Sequence, residues 1–296
     1  MKDTWPIYLI ILTIPIFYFS IKNESIFNSF YFFSPQTCNY QVPNDVKFVT
    51  KKFGANPQKQ NINLIWLHGL GGYGPKTFSK IVEKALDRLE EAGDSSSCSF
   101  TINCFLPTSL PKFNRWKRVG TTNSWFHLNE IKHKKAPLTV DSEAPLQIEK
   151  SLFRSTKTLQ KFISCIDKKY PNQATILGGG SQGGALLWTF SELLRIGELE
   201  LEPKNINFIL ANTWLPNQIQ NSSKIYLPNT FNLIYNQFDP IIPEHTVELS
   251  IENSLAKFYN NTLVFKIENA ESGHEIGGEE YIEFVRERIM SVVLNK

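Results

Sequence analysis

Ser181 stands where a strand must turn sharply into a helix, inside Gly179-Gly180-Ser181-Gln182-Gly183. The β-favouring run Ala174-Thr175-Ile176-Leu177 precedes it, and Ala185-Leu186-Leu187-Trp188 follows, continuing to Leu193-Leu194 at helical spacing. A G-x-S-x-G sequence between a strand and a helix is a nucleophile elbow. Its serine sits on a strained turn, and a Cβ on the flanking glycines would strike the neighbouring strand or helix. A phosphate-cradling loop is the competing reading, but no Gly-Lys-Ser/Thr follows.

A serine nucleophile needs a base to take its proton and an acid to orient that base. Where an elbow supplies the nucleophile, the chain order is serine, acid, histidine. Downstream of Ser181 the only aspartate is Asp239, and the only histidines are His245 and His274. Asp239 follows the strand-like Phe231–Tyr235 and precedes Pro240, which places it on a loop at a strand end. His274 lies in Ser272-Gly273-His274-Glu275, after the strand-like Thr262–Ile267 and before a final helix. His245 opens a helix just after Asp239 and reads as an exposed surface histidine.

Upstream, His68-Gly69-Leu70-Gly71-Gly72 follows the apolar strand Ile62–Leu67. A Gly-rich turn after an early strand can offer one backbone N–H to a developing oxyanion, and the residue after the serine offers the second. Those donors are Leu70 and Gln182. His68 is on the wrong side of the serine for the base and reads as a structural histidine bonding loop carbonyls.

The stretch Gly178–Ala185 resembles the elbow of the phospholipase/carboxylesterase family, whose best-known members are acyl-protein thioesterases. The resemblance extends through Leu67-His68-Gly69-Leu70-Gly71, Ser124-Trp125-Phe126, Thr213-Trp214-Leu215-Pro216, Asp239-Pro240-Ile241-Ile242-Pro243 and Gly273-His274. It implies an α/β-hydrolase fold, with Ser181 as nucleophile, Asp239 as acid, His274 as base and Leu70 and Gln182 as oxyanion-hole donors. It also makes Trp125, Phe126 and Trp214 candidate substrate contacts. Acylated proteins, lysophospholipids or small esters are the implied substrates, and no cofactor or metal is needed. The chain departs from the family in three places. Gly72 and His127 stand where an aspartate is usual, and Tyr235-Asn236 replaces a His-Gly pair before the acid.

Hydrophobic residues make up 42% of the 296 residues, enough for a buried core without a metal or a dense disulfide frame. The net charge of +3 is close to balance, and the short basic run Lys132-His133-Lys134-Lys135 lacks interleaved aromatics, so no nucleic-acid partner is expected. Strands are expected near 46–53, 62–67, 99–106, 174–178, 206–211, 231–235 and 262–267, and helices near 76–92, 146–168, 183–197, 246–259 and 279–293. In the last helix Tyr281, Val285, Ile289 and Val292 recur on one face. The alternation predicts a mostly parallel central sheet flanked by helices. The stretch from Pro107 to Pro145, with Trp116, Trp125 and Phe126, reads as irregular: either a lid or acyl-binding wall, or a surface flap packed on the core.

The amino terminus reads differently. Trp5–Ile21 carries no charge and is interrupted by Pro6, Thr13, Pro15 and Ser20. As a helix it would span about 26 Å at 1.5 Å per residue, against a hydrocarbon core of ~30 Å. Residues 1–45 are therefore expected to be a hydrophobic membrane segment (5–21) with a short stalk, and residues 46–296 the catalytic domain. Tyr18 is bulky where a cleavage site wants a small residue, which favours an uncleaved signal anchor over a secreted, cleaved form. Sequons at Asn23, Asn221 and Asn260 would suit a luminal or extracellular catalytic domain. The 4 cysteines allow either two disulfides or free thiols.

The sequence expectation is thus a membrane-tethered serine hydrolase that cleaves carboxylic esters or thioesters. A peptidase or other acyl transferase, and a non-catalytic hydrolase-fold binding module, are the alternatives.

Overall fold

The computed structural model of the protein describes residues 46–54, 60–91, 99–109, 111–113, 121–126, 150–171, 173–201, 206–216, 229–269 and 273–294. The apolar segment Trp5–Ile21, Trp116, His127 and the sequons at Asn23 and Asn221 lie outside these residues. Among the described residues no helix is long and apolar enough to cross a membrane.

The strands are β1 (Val46–Phe53), β2 (Asn61–Leu67), β3 (Phe100–Pro107), β6 (Ala174–Gly180), β7 (Ile206–Ala211), β8 (Thr230–Asn236) and β9 (Asn261–Ile267), joined in the order β1-β3-β2-β6-β7-β8-β9. Every pairing is parallel except that of β1 with β3. β2 and β3 are buried along nearly their whole length, as expected for central strands covered on both faces. β1, at the antiparallel edge, is half-buried or exposed along its length until it ends on the buried Phe53.

The pleat sends alternate side chains to opposite faces. Ile62, Leu64, Trp66, Ile176, Ile209 and Ile234 form one core with α2 (Val82–Glu91) and α7 (Glu279–Val293), which packs through Tyr281, Val285, Ile289 and Val292. On the other face, Phe105 meets Phe162 of α3 (Lys150–Lys169), and Phe231 meets Trp188 of α4 (Gln182–Arg195). The chain runs outward from β2 to β3, then returns to place β6 on the other side of β2. In open α/β sheets, ligands bind outside the carboxyl ends of strands at such a reversal. The loops after β2 and β6, which carry Gly69–Gly72 and Ser181, meet there.

Several elements differ from the sequence expectation. The helix expected over 76–92 starts at Gly74 and breaks at Ile81 into α1 (Gly74–Lys80) and α2. Pro75 is tolerated because the first helical turn needs no amide donor there. The helix expected over 246–259 is α5 (Glu244–Ser250), a π-helical turn (Ile251–Leu255) and α6 (Ala256–Phe258). β6 continues through all three glycines to Gly180. They serve packing: a Cβ on Gly178 would lie 2.1 Å from the Trp66 ring, and one on Gly180 would lie 2.3 Å from Ile276 Cδ1. The stretch after Pro107 is not wholly irregular, for Pro111–Phe113 (β4) and Thr121–Asn123 (β5) pair as a small antiparallel sheet. Cys104 is a buried free thiol pushed up to about 12 by burial, so the two-disulfide alternative falls.

Candidate active site

Ser181 joins β6 to α4 with φ 50° and ψ −122°, a left-handed conformation that non-glycine residues rarely adopt. Such strain costs about 1–3 kcal/mol and persists only where the surroundings over-determine it. Here they do. Its N–H donates to Ala211 O at 2.9 Å, and its carbonyl accepts from Thr213 Oγ1 at 2.8 Å and from Ala185 N–H at 2.9 Å. A Cβ on Gly183 would approach the carbonyl oxygens of Leu67 and His68 to 2.6 Å, so only glycine lets α4 start this close to the β2 loop.

The structure brings His274 and Asp239 to this serine. His274 Nε2 lies 3.1 Å from Ser181 Oγ, and its Nδ1 lies 2.6 Å from Asp239 Oδ2. The partners assign the tautomer: Nδ1–H donates to the carboxylate, and Nε2 accepts from the hydroxyl. Asp239 is buried, and its other oxygen, Oδ1, accepts the N–H groups of Ile241 and Ile242 at 2.8 and 2.9 Å. These bonds fix the carboxylate from the side away from the histidine. His245 is exposed on α5, with Thr246 Oγ1 3.4 Å from its Nε2, and takes no part in this chain of bonds.

The loop after β2 lies against the serine: a Cβ on Gly69 would sit 3.3 Å from Ser181 Cβ. Its shape is held by Gly72 N–H to Gly69 O at 3.0 Å, Gly71 N–H to Asn123 O at 2.8 Å and Asn123 Nδ2 to Gly72 O at 2.9 Å. A side chain at Gly72 would meet Gly69 O and His68 Cβ at 2.9 Å, which explains glycine where the resembled family usually has aspartate. Among the described residues, neither the Leu70 nor the Gln182 amide has a hydrogen-bond partner. Gln182 opens α4, where the unpaired N–H groups carry the positive end of the helix dipole.

His68 is wholly buried; its Nδ1–H donates to Gly69 O at 2.6 Å, and Nε2 accepts the Ser109 N–H at 2.9 Å. Burial penalises the imidazolium and pushes this group down to about 4. It is a neutral brace for the loop.

Trp125 and Phe126 are 7% and 2% exposed and Trp214 is 5% exposed, which leaves these candidate substrate contacts little free surface. Trp125 Nε1 donates to His68 O at 2.7 Å, and its ring lies 4.8 Å from the His68 ring. Nothing in the local pattern singles out the Gln182 side chain, yet it is the joint of the site. Its Oε1 accepts Trp125 N–H at 3.0 Å, and its Nε2 donates to Phe126 O at 2.8 Å and Ser124 Oγ at 2.9 Å. The signal available was the joint presence of Gln182 and Ser124-Trp125-Phe126 in the resemblance. Asn212, Asn236 and Tyr281 were missed as well; they form a buried network under the loops of Ser181, Asp239 and His274. Asn212, with φ 39°, directly follows Ala211, whose carbonyl holds the serine amide.

No protein-family model matches the sequence, and no curated protein does. Solved structures do resemble the chain. Acyl-protein thioesterase 2 of Zea mays aligns with a TM-score of 0.59 at 16% identity, over 83% of this chain and 99% of its own. SOBER1 of Arabidopsis thaliana gives 0.56 at 17% identity, over 79% and 99%. A carboxylesterase of Bacillus cereus gives 0.53 at 17% identity, over 85% and 97%. With this likeness, a mostly parallel sheet covered on both faces and a glycine-flanked serine at its reversal point, the chain has the α/β-hydrolase fold.

Proposed function

We propose that the protein is a serine hydrolase that cleaves carboxylic esters or thioesters through an acyl-enzyme. The carrying observation is the continuous chain Ser181 Oγ–His274–Asp239 at 3.1 and 2.6 Å, on an elbow whose serine is held in a strained conformation. His274 Nε2 takes the hydroxyl proton as Oγ attacks the acyl carbonyl, and Asp239 stabilises the imidazolium that forms. The Leu70 and Gln182 amides receive the oxyanion, where one such donor contributes roughly 3–4 kcal/mol. Collapse releases the alcohol or thiol with the proton held by His274. Water then attacks the acyl-enzyme by the same route and frees the acid. No step calls for a metal or organic cofactor.

Three exposed apolar side chains favour an acyl substrate. Phe238 and Ile241 flank Asp239, and Tyr73 follows the Gly69–Gly72 loop, with exposures of 49%, 44% and 51%. The likeness to structures named as an acyl-protein thioesterase and a carboxylesterase points the same way. Acylated proteins, lysophospholipids and small esters are the substrate classes to assay. Residues 46–296 would form the catalytic domain, and the uncharged segment Trp5–Ile21 would anchor it to a membrane. The exposed Asn260 sequon suits a luminal or extracellular face.

The test is turnover of matched ester, thioester and amide substrates by the wild type and single variants. Ser181→Ala and His274→Ala should each lower kcat by roughly 10⁴–10⁶, with Asp239→Asn also severe, while His245→Ala should change little. Preference for the amide would indicate a peptidase instead. A folded wild type that reacts with neither substrate nor fluorophosphonate would reduce the protein to a binding module.

A further inference from the structure

Asn236 ends β8 and is wholly buried, three residues before Asp239. Its carboxamide reaches in two directions. Oδ1 accepts the N–H of Phe238, the neighbour of Asp239, at 3.0 Å. Nδ2 donates to Asn269 O at 3.0 Å and to Gly273 O at 3.1 Å, both on the connection that carries His274. Its main chain adds two more links: N–H to Asn212 Oδ1 at 2.9 Å, and its carbonyl accepts Asp239 N–H at 3.2 Å. Gly273 has φ 49° with open space where a Cβ would go, so the glycine is required for backbone direction. That direction turns its carbonyl, the one immediately before His274, toward Asn236.

We propose that Asn236 is a positioning residue that clips the Asp239 loop to the His274 loop and so holds imidazole and carboxylate in register with Ser181. This rests on the hydrolase reading above. The resembled family has glycine at this position, and glycine has no side chain to make the clip. The device therefore belongs to this chain rather than to the resemblance. Asn212 supports it from below, for its Oδ1 accepts both Asn236 N–H and Tyr281 Oη–H, the latter at 2.8 Å.

Asn232 supplies the control. It lies on the same strand, is also buried, and donates from Nδ2 to Phe208 O at 3.1 Å, away from the three catalytic loops. Removing either carboxamide breaks buried hydrogen bonds, so both Asn236→Ala and Asn232→Ala should lower Tm. Only Asn236→Ala should lower kcat and the rate constant of fluorophosphonate labelling, by about 10–100-fold with KM changed by no more than about twofold, because a misplacement near 1 Å carries that penalty. It should also abolish the downfield proton resonance of the imidazole N–H shared with Asp239, which Asn232→Ala should keep.

If Asn236→Ala does not fold, Asn236→Ser keeps a small polar side chain, without added charge, that is too short to reach Asn269 O and Gly273 O, so it reads the same split. Retention of both the rate and the proton signal in the Asn236 variant would overturn the proposal. So would an equal loss of both in Asn232→Ala. A wild type that fluorophosphonate does not label would sink the hydrolase reading instead, and the proton resonance would then decide by itself whether Asn236 positions His274.

Discussion

Replacing Gln182 by alanine isolates the work of its side chain, because the backbone N–H proposed for the oxyanion hole stays in place. The carboxamide is 1% exposed and bonds Trp125 N–H, Phe126 O and Ser124 Oγ. In Gln182→Ala, Trp125 N–H loses its 3.0 Å acceptor, whereas Phe126 O keeps Ser124 Oγ at 2.5 Å. Loss of the buried hydrogen bonds made by the carboxamide costs about 1–3 kcal/mol, and the lost side-chain packing adds roughly 1 kcal/mol. The expected loss of stability is therefore about 2–4 kcal/mol, read by urea denaturation with tryptophan fluorescence. Activity should fall only about tenfold, through small displacement of the loops, far short of the loss in Ser181→Ala. Gln182→Glu keeps the shape but turns a carboxylate toward the Phe126 carbonyl. It should be destabilised at neutral pH and recover as acid restores a proton to donate. Wild-type stability in Gln182→Ala would refute the clamp. Loss of activity as complete as in Ser181→Ala, with the fold intact, would mean that the side chain acts on substrate directly.

Two further predictions follow from His68 and the amino terminus. His68 is pushed down to about 4 in the folded protein from an ordinary 6.5, so between those values the unfolded chain binds the extra proton and stability falls as pH drops. That linkage is worth roughly 3 kcal/mol, and denaturation of His68→Gln across pH 7 to 4 should lack this part of the slope; an unchanged slope would show that His68 is not held neutral by burial. If Trp5–Ile21 is an uncleaved anchor, the full chain should resist alkaline carbonate extraction, and a chain of Asp45–Lys296 should be soluble and keep turnover of a small ester. Recovery of a mature protein beginning just after Ser20 would refute the anchor and leave a secreted form.

The alternation of strands and helices was legible in the sequence because each element writes its period locally. Ile62–Leu67 reads as a buried strand, and Tyr281, Val285, Ile289 and Val292 read as one helical face, before any partner is known. The elbow was legible for the same reason: three glycines around one serine between a strand and a helix leave few backbone solutions. Asp239 and His274 stood out through chain order, since a single aspartate and two histidines follow the serine. Local signals were weaker where space decided. β6 runs on through Gly178 to Gly180, where Trp66 and Ile276 occupy the room that side chains would need, which no propensity of glycine foretells.

What tertiary structure alone decided is which distant groups share a partner. The reversal between β2 and β6 brings Gly69 against Ser181, and strand order is not written in the period of any strand. Gln182 meets Trp125 across 57 residues of chain, and that bond buries the aromatic expected to line a substrate wall. Asn236 spans 37 residues to Gly273. In the sequence both are polar residues at the ends of elements, as suited to solvent as to the core. A buried carboxamide must find its donors and acceptors, and only the packed sheet determines where they are.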